Sequence, residues 1–567
     1  MKSYFLICCF GILVLINPCQ GQSYDIAKHQ DWTNDIDYLD YLIRTRHPNP
    51  YYSISKERWN NELQNLKKNV AKLSEKEISI KLSSIVALLN DGHTFLDFDG
   101  RYGFDRWFPV RFYDFDDGLF ITVTHPAYKQ LIGKKVISIS GLPASSVLNA
   151  VSKAISGDNA FHKRNIAAAF MSNTALLEGM GIIENNQNLI LQLIDESGKH
   201  STAEITSISS FYSTNYRNWG ELFGPPLEEY NAYVTPFENG KPPLKYREFS
   251  DDAPPYYASR EPYWFKNYPE YSAFVFQFNF AAEIGPEPFK DFLKRLVAAL
   301  ETTKPEKLII DVRYNFGGDG SMMVPLVNDI ITYSKIHPKT KLYVVQGRQT
   351  FSAGIMLAAR LKEYLNITLI GEPAGAGYNH YGDPVTYQLP NSKLKLHCSS
   401  VFWQLGHPLN DSNVISVEFP VGVNSTDFFQ GHDSAFLKIV GSNDLRHISD
   451  IYMEEELSIA DSIYRSRYNS FGKLKWWSPI DGDSDLMGKK INAILGKQKP
   501  ESAVRLANIW TEHDAENPLA WMKLSELYHL QKKYDLALEA LTKAQNLDGD
   551  RLDIKEARAV LQDAPKE

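Results

Sequence analysis

The alternation of short apolar strands with helices between residues 273 and 370 restricts the fold of this 567-residue chain more than any other feature. Segments 273–280, 308–311, 342–345 and 367–370 are rich in β-branched and aromatic residues and predict buried strands. The intervening segments 288–300, 321–332 and 355–364 have helical composition. Because such units join parallel strands by right-handed crossovers, we predict an α/β core with functional groups at the carboxyl ends of its strands.

Two loops at those predicted strand ends carry residues suited to acyl transfer. Ser352 lies at a strand-to-helix turn, where its hydroxyl projects from the sheet and the first helical amides are unpaired. In loop 312–320, Gly317 and Gly318 expose backbone amides that can hold an oxyanion together with the amide of Ala353. The loop lacks the Gly-Lys-Ser/Thr sequence of a P-loop, which argues against a nucleotide. A capping role for Ser352 and a simple tight turn for the glycines are the alternatives.

The segment Asp-Gly-His-Thr at 91–94 follows a predicted helix that opens with a capping box at Ser74 and Glu77. An imidazole at this position is either a cap that complements the helix dipole or a general base whose ring is oriented by Asp91. The local sequence leaves both roles open for His93. A second candidate base, His47, lies between a helix end and two prolines, where we expect a structural role.

Four motifs, in this order, resemble the family of carboxyl-terminal processing (tail-specific) and tricorn-type serine peptidases. They are residues 91–94, the run 307–318, the Thr-Phe-Ser-Ala-Gly turn at 350–354 and Gly-Glu-Pro-Ala-Gly-Ala-Gly at 371–377. The resemblance ends near residues 427–433. It implies a crotonase-like α/β peptidase core that cleaves peptide bonds through an acyl-enzyme on Ser352, with no cofactor and no metal.

The same resemblance bears on the general base. The processing branch activates its serine with a lysine in a Gly-Lys-Gly element, and Ala376 stands at that place here. This departure implies that His93 is the base, as in the tricorn-like branch, ahead of His380. The acid that orients His93 stays open between Asp91 and more distant residues such as Asp411 or Glu418.

The sequence predicts a multidomain α/β protein. We expect a signal peptide at 1–21, an N-terminal helical segment with the histidine motif at 22–100, a PDZ-like β domain at 104–208 and an aromatic, proline-rich connector at 209–268. The peptidase core follows at 269–450, a linker helix at 451–483 and a TPR-like helical tail at 484–567. The PDZ-like assignment rests on a Leu-x-Gly turn at 131–133 and the strand after it. The tail assignment rests on Ala503 and Ala537, which are 34 residues apart.

Composition limits the environment and the partners. The leader is too short to span a bilayer and predicts export to the periplasm or cell envelope, with a lipid anchor at Cys19 as a minority alternative. Cys398 is the single cysteine after the leader, so no internal disulfide is expected and a small buried hydrophobic residue is the favoured role. A net charge of -8 without a basic block argues against nucleic acid.

Two functions are consistent with these features. The first is an exported serine peptidase with a peptide or protein substrate, and the second is a catalytically silent relative that binds peptides or envelope proteins. The tail either binds a protein partner or packs on its own chain. An α/β-hydrolase esterase is excluded because Thr350 replaces the first glycine of Gly-x-Ser-x-Gly and the histidine precedes the serine.

Overall fold

A computed structural model describes residues 26–98, 101–209, 262–283, 287–406, 412–430, 432–442, 444–474, 476–480 and 484–562. The predicted leader with Cys19, nearly all of the connector and Asp411 lie outside these residues. The helices are α1 Ile26–Arg46, α2 Lys56–Asn69, α3 Glu75–Val86, α4 Ala144–Ser152, α5 Ala160–Phe170, α6 Thr174–Gly179, α7 Phe289–Thr303, α8 Met323–Ile336, α9 Ala353–Tyr364, α10 Ser425–Gln430, α11 Ser434–Gly441, α12 Ile448–Glu454, α13 Leu457–Phe471, α14 Ser484–Gly496, α15 Pro500–His513, α16 Pro518–Leu530, α17 Tyr534–Leu547 and α18 Leu552–Gln562.

The strands are shorter than most of the helices. They are β1 Phe95–Asp97, β2 Arg106–Trp107, β3 Val110–Phe115, β4 Gly118–Thr124, β5 Lys135–Ile139, β6 Leu142–Pro143, β7 Leu189–Ile194, β8 His200–Ile205, β9 Ile208–Ser209, β10 Tyr263–Tyr268, β11 Ala273–Phe278, β12 Lys307–Asp311, β13 Lys341–Gln346, β14 Ile367–Gly371, β15 Asn379–Gly382, β16 Val385–Gln388, β17 Lys395–Cys398, β18 Val401–Gln404 and β19 Phe419–Pro420.

The central sheet confirms the predicted parallel core. Its strand order is β10-β11-β12-β13-β14-β19, and every pair from β11 to β19 is parallel, while β10 is antiparallel to β11. One face packs against α7, α8 and α9, with Phe292, Leu326 and Leu357 in the shared core. The opposite face packs against α11 through Phe436 and Ile439. The two covered faces explain why these strands are continuous apolar runs.

The N-terminal helices form as the sequence predicts. Helix α1 ends at Arg46, just before the first of the two prolines, and α3 begins after Ser74, where the predicted capping box is present. Strand β1 pairs with β17, which in turn pairs with β16. Cys398 is buried there as a free thiol among the apolar residues of α1–α3, as predicted for a small hydrophobic residue. Residues 385–398 therefore extend the N-terminal core, although we expected them to belong to the peptidase core alone.

Residues 104–209 contain an antiparallel sheet with the order β3-β4-β5-β7-β8 and the three helices α4–α6. Their apolar side chains form a separate cluster around Phe112, Ile121 and Leu191. Helix α5 packs along β3, the first strand in this order.

The C-terminal helices are arranged as two similar pairs. Helices α16 and α17 begin and end 34 residues after α14 and α15, respectively, and both Ala503 and Ala537 are fully buried. Helices α12 and α13 contribute Tyr452 and Tyr464 to the same apolar cluster. The region expected to be a linker helix is therefore packed into the helical tail. Among the described residues, no helix is long and apolar enough to cross a membrane.

Candidate active site

Ser352 lies between the end of β13 and the start of α9, at the carboxyl edge of the central sheet. Its backbone has φ 50° and ψ -123°, a conformation that a non-glycine residue adopts only under strain. Its hydroxyl makes no capping hydrogen bond to α9, so the capping alternative is not realised. The side chain is half-buried.

Hydrogen bonds to backbone carbonyls hold the serine turn against the glycine loop. The Phe351 amide donates to the Asn315 carbonyl over 2.9 Å, and the Thr350 hydroxyl donates to the Val312 carbonyl over 2.8 Å. A Cβ atom on Gly354 would lie 2.4 Å from the Asn315 carbonyl oxygen, so only glycine fits there. These contacts fix the serine against the loop that we expected to supply an oxyanion hole.

Arg313 anchors the glycine loop through two buried ion pairs. Its guanidinium forms buried ion pairs with Asp311 over 2.6 Å and with Asp433 over 2.7 Å. Asp433 lies at the end of the last segment that resembles the peptidase family, and it also caps α11. The sequence carried no indication of this pairing, because the two residues are 120 positions apart.

The three predicted oxyanion donors differ in their availability. The Gly317 amide already donates to the Asn315 side chain over 3.0 Å. Gly318 forms an isolated parallel β-bridge with Ala281. In this bridge Ala281 is hydrogen-bonded to the Gly317 carbonyl and the Asp319 amide, so the Gly318 amide has no acceptor within the described chain. Ala353 is the first residue of α9, where an amide has no acceptor within the helix. Gly318 and Ala353 therefore present the amides available to a ligand.

Gly317 instead provides space next to the serine. It has φ 126°, and a Cβ atom built on it would lie 2.6 Å from Ser352 Cβ and 3.1 Å from Ser352 Oγ. The loop thus runs directly beside the serine side chain. A larger residue would collide with it.

Asp91 organises the turn that carries His93. Its Oδ1 accepts the backbone amide of His93 over 2.9 Å. Its Oδ2 accepts the Thr94 and Ser399 hydroxyls, each over 2.6 Å, and His47 Nε2 over 3.0 Å. Burial disfavours the carboxylate, but the hydrogen bond from His47, the nearby His93 and the two hydroxyls together lower the pKa of Asp91 to about 2.

The pairing of Asp91 with the His93 ring, one of the alternatives that the sequence left open, is not observed. Asp91 acts on the backbone of His93, and its side chain is instead bonded to the ring of His47. Both ring nitrogens of His47 are hydrogen-bonded, since its Nδ1 accepts the Asn49 amide over 3.1 Å. It has the structural role expected for it.

The His93 ring is buried in a stack of aromatic side chains. Its centroid lies 4.4 Å from that of Phe351 and 6.1 Å from that of His380, with interplanar angles of 21° and 13°. Its Nδ1 has no hydrogen-bond partner among the described residues. Burial lowers the pKa of His93 despite the charges of Asp91 and Asp383, which favours the neutral imidazole that a general base requires.

The His93 ring contacts Phe351, the residue that precedes Ser352. No hydrogen bond joins His93 to Ser352 within the described chain. His162 stacks on Phe351 as well, at 4.3 Å. Both His162 and His380 are buried, and burial lowers the pKa of His162 to about 3 and that of His380 to about 4. His162 was missed by sequence reasoning, because it lies far from every motif and nothing in its local sequence singles it out.

Glu418, one of the acids considered for orienting His93, is committed elsewhere. It forms a buried ion pair with Lys362 of α9, and its Oε2 accepts the Leu369 amide over 2.6 Å. No cluster of three or more His, Cys, Asp or Glu side chains suited to a metal ion occurs in the described part of the chain. The candidate site therefore brings together Ser352, the glycine loop and the buried His93, whose backbone amide is held by Asp91.

Comparison with known proteins identifies the fold. No protein-family model and no curated protein sequence matches the chain. The crystal structure of a serine-to-alanine mutant of CPAF matches with a TM-score of 0.52 and 11% identity, covering 73% of this chain and 97% of CPAF. At this identity the match establishes a shared fold.

Two other solved structures match with lower TM-scores. The photosystem II D1 C-terminal processing protease has a TM-score of 0.34 and 12% identity, with 73% of this chain and 98% of that chain covered. The tricorn protease has a TM-score of 0.31 and 12% identity, with 73% of this chain and 36% of that chain covered. Because both TM-scores are below 0.5, the shared fold rests on the CPAF match.

Proposed function

We propose that this protein is a serine peptidase that hydrolyses peptide bonds through an acyl-enzyme on Ser352. The observation that carries the proposal is the strained strand-to-helix turn at Ser352, whose uncapped hydroxyl lies beside Gly317 of the glycine loop and directly precedes the unpaired amide of Ala353. A nucleophile beside a glycine loop and a helix-start amide is the arrangement that acyl transfer requires.

His93 is the general base in this proposal. In its neutral form it takes the Ser352 proton as the hydroxyl attacks the substrate carbonyl, and the resulting imidazolium returns that proton to the leaving amine. The amides of Gly318 and Ala353 stabilise the oxyanion. Because no hydrogen bond joins His93 to Ser352 in the resting structure, a rotation of one of the two side chains upon substrate binding belongs to the mechanism.

Residues 104–208 correspond in this proposal to a PDZ-like unit. Such units bind peptides by adding a strand to a sheet edge. The edge strand β3 is already contacted from its own chain, since Arg348 donates to the Asp114 carbonyl over 2.8 Å and Ser172 donates to the Val110 carbonyl over 2.5 Å. The Arg348 contact favours a unit that docks onto the peptidase core over an independent peptide-binding module.

The 34-residue offset of the two helix pairs supports a TPR-like tail. Export to the periplasm or cell envelope follows from the leader sequence and completes the proposal. The substrate is a peptide or a protein.

The second candidate function is a catalytically silent peptide- or protein-binding relative. The observation that favours it is the missing hydrogen bond between His93 and Ser352. Reaction with an active-site reagent distinguishes the two candidates.

Fluorophosphonate labelling of the full chain tests the peptidase proposal. We expect the wild type to be labelled, Ser352→Ala to be unlabelled and His93→Ala to react much more slowly. Ser321→Ala is the matched control, because Ser321 lies at the exposed end of the glycine loop, and it should label normally. An unlabelled wild type, or equal labelling of Ser352→Ala, would contradict the proposal.

A further inference from the structure

We infer that residues 158–162, at the start of α5, are a positioning element for the active site, with Asp158 holding the turn that carries His93. This inference rests on the proposed function. The segment belongs to the small antiparallel sheet unit and not to the peptidase core, yet it contacts three of the motif segments that form the site.

The first contact is with the histidine turn. Asp158 Oδ2 accepts the amide of Gly92, the residue before His93, over 2.9 Å. A Cβ atom on Gly92 would lie 2.8 Å from Asp158 Oδ2 and 2.7 Å from the Phe351 ring. The turn is therefore enclosed between Asp158 and Phe351, and the position of His93 depends on both.

The second contact is with the serine turn. The His162 and His93 rings stack on the same Phe351 ring, at 4.3 and 4.4 Å. Two rings at such distances must occupy opposite faces of Phe351. Because Phe351 directly precedes Ser352, His162 limits the movement of the serine turn away from His93.

The third contact is with the loop after β14 and with Asn413, which precedes β19. The Asn159 side-chain amide donates to the carbonyls of Ala374 over 2.9 Å and Asn413 over 2.8 Å. The Asn413 side chain donates in return to the Asp158 carbonyl over 2.9 Å. The loop that carries Ala374 is in turn bonded to the serine turn, since the Gly375 amide donates to the Thr350 carbonyl.

The charge state of Asp158 provides a specific test. Burial and the charge of Asp91 raise the pKa of Asp158, while the Gly92 amide and Lys163 oppose this shift. The raised pKa disfavours the ionised form of Asp158. Its contact with the Gly92 amide needs only the shape of the side chain and an acceptor oxygen, both of which asparagine retains.

The experiment compares the rate of fluorophosphonate labelling of Ser352 in the full-length wild type and its variants. We expect Asp158→Ala to label about tenfold more slowly or worse, as a small displacement of a catalytic group produces. Asp158→Asn should stay within about threefold of the wild type, because it preserves the contact to Gly92. Asp195→Ala is the control, since the Asp195 side chain of the same sheet unit hydrogen-bonds only within its own turn.

His162 gives an independent pair of variants. His162→Phe keeps a ring on Phe351 and should label at nearly the wild-type rate, whereas His162→Ala should label more slowly. Hydrogen exchange of the peptide that spans residues 90–94 is measured in parallel and does not depend on catalysis. We expect faster exchange in Asp158→Ala than in the wild type or Asp158→Asn.

The outcomes separate the two proposals. Wild-type labelling and exchange rates in Asp158→Ala would overturn the positioning role, and so would an equal loss of labelling in Asp158→Asn and Asp158→Ala. An unlabelled wild type would instead overturn the peptidase function, and the exchange measurement would still report whether Asp158 holds the turn.

Discussion

Ser352 adopts a backbone conformation that costs about 1–3 kcal/mol for a residue with a side chain. The surrounding contacts of Phe351 and Thr350 with the glycine loop hold it there. The sequence located Ser352 at the turn, because the strand and the helix on either side of it are strongly patterned. It did not reveal the aromatic stack around His93, whose members come from four separate segments of the chain.

Protonation of the buried histidines should make stability depend on pH. The folded pKa values of His162 and His380 are about 3 and about 4, both lowered by burial, against ~6.5 in an unfolded chain. Because burial lowers the folded pKa values, the stability contributed by the two neutral histidines is complete above about pH 6.5. It is lost as the pH falls toward the folded pKa values. Each histidine should cost about 2 kcal/mol of stability between pH 7 and pH 5.

Thermal unfolding between pH 8 and pH 5 measures this effect. His162→Phe should show a weaker decrease of the unfolding temperature with acidification than the wild type. His200→Gln, which replaces an exposed histidine of β8, should behave as the wild type does. An unchanged pH profile in His162→Phe would show that its burial does not control the acid sensitivity.

At the scale of elements, the central sheet and its helices were predictable because each strand and helix carries its own pattern. The capping box of α3 and the end of α1 before Pro48 were local signals of the same kind. The pairing of β1 with β17 was not predictable, since it joins segments about 300 residues apart. The sequence did not predict the approach of α5 to the site either. That approach depends on how two units with separate apolar cores pack against each other.

The glycine loop gives a prediction at this scale. Gly317→Ala should reduce fluorophosphonate labelling by at least about tenfold, because its Cβ would lie 2.6 Å from Ser352 Cβ and displace the nucleophile. Gly133→Ala is the matched control. Gly133 also has a positive φ but no atom within 4 Å of the added Cβ, so this variant should lose about 1 kcal/mol of stability and label normally. Equal labelling of the two variants would contradict the claim that the glycine loop affects the reactivity of Ser352.

At the scale of the molecule, Glu418 connects the helix after Ser352 to the C-terminal helices. Its carboxylate pairs with Lys362 of α9, and His447 Nε2, from the residue before α12, lies 3.7 Å from its Oε1. The Trp477 indole donates to its carbonyl over 3.3 Å. The residue considered as an orienting acid therefore joins the core to the tail.

Glu418→Gln should destabilise the folded chain by about 3–5 kcal/mol, because it leaves the Lys362 ammonium buried beside a neutral amide. The double variant Lys362→Met, Glu418→Gln should recover part of that loss, since no buried charge remains. Chemical unfolding of the three proteins measures both effects. A double variant less stable than Glu418→Gln would contradict the role assigned to the ion pair.

Digestion of a peptide library, with products identified by mass spectrometry, tests the central claim most directly. We predict that the wild type releases defined peptide fragments, that His93→Ala releases them far more slowly and that Ser352→Ala releases none. The same fragments appearing at the same rate with Ser352→Ala, or no cleavage by the wild type, would contradict a peptidase centred on Ser352.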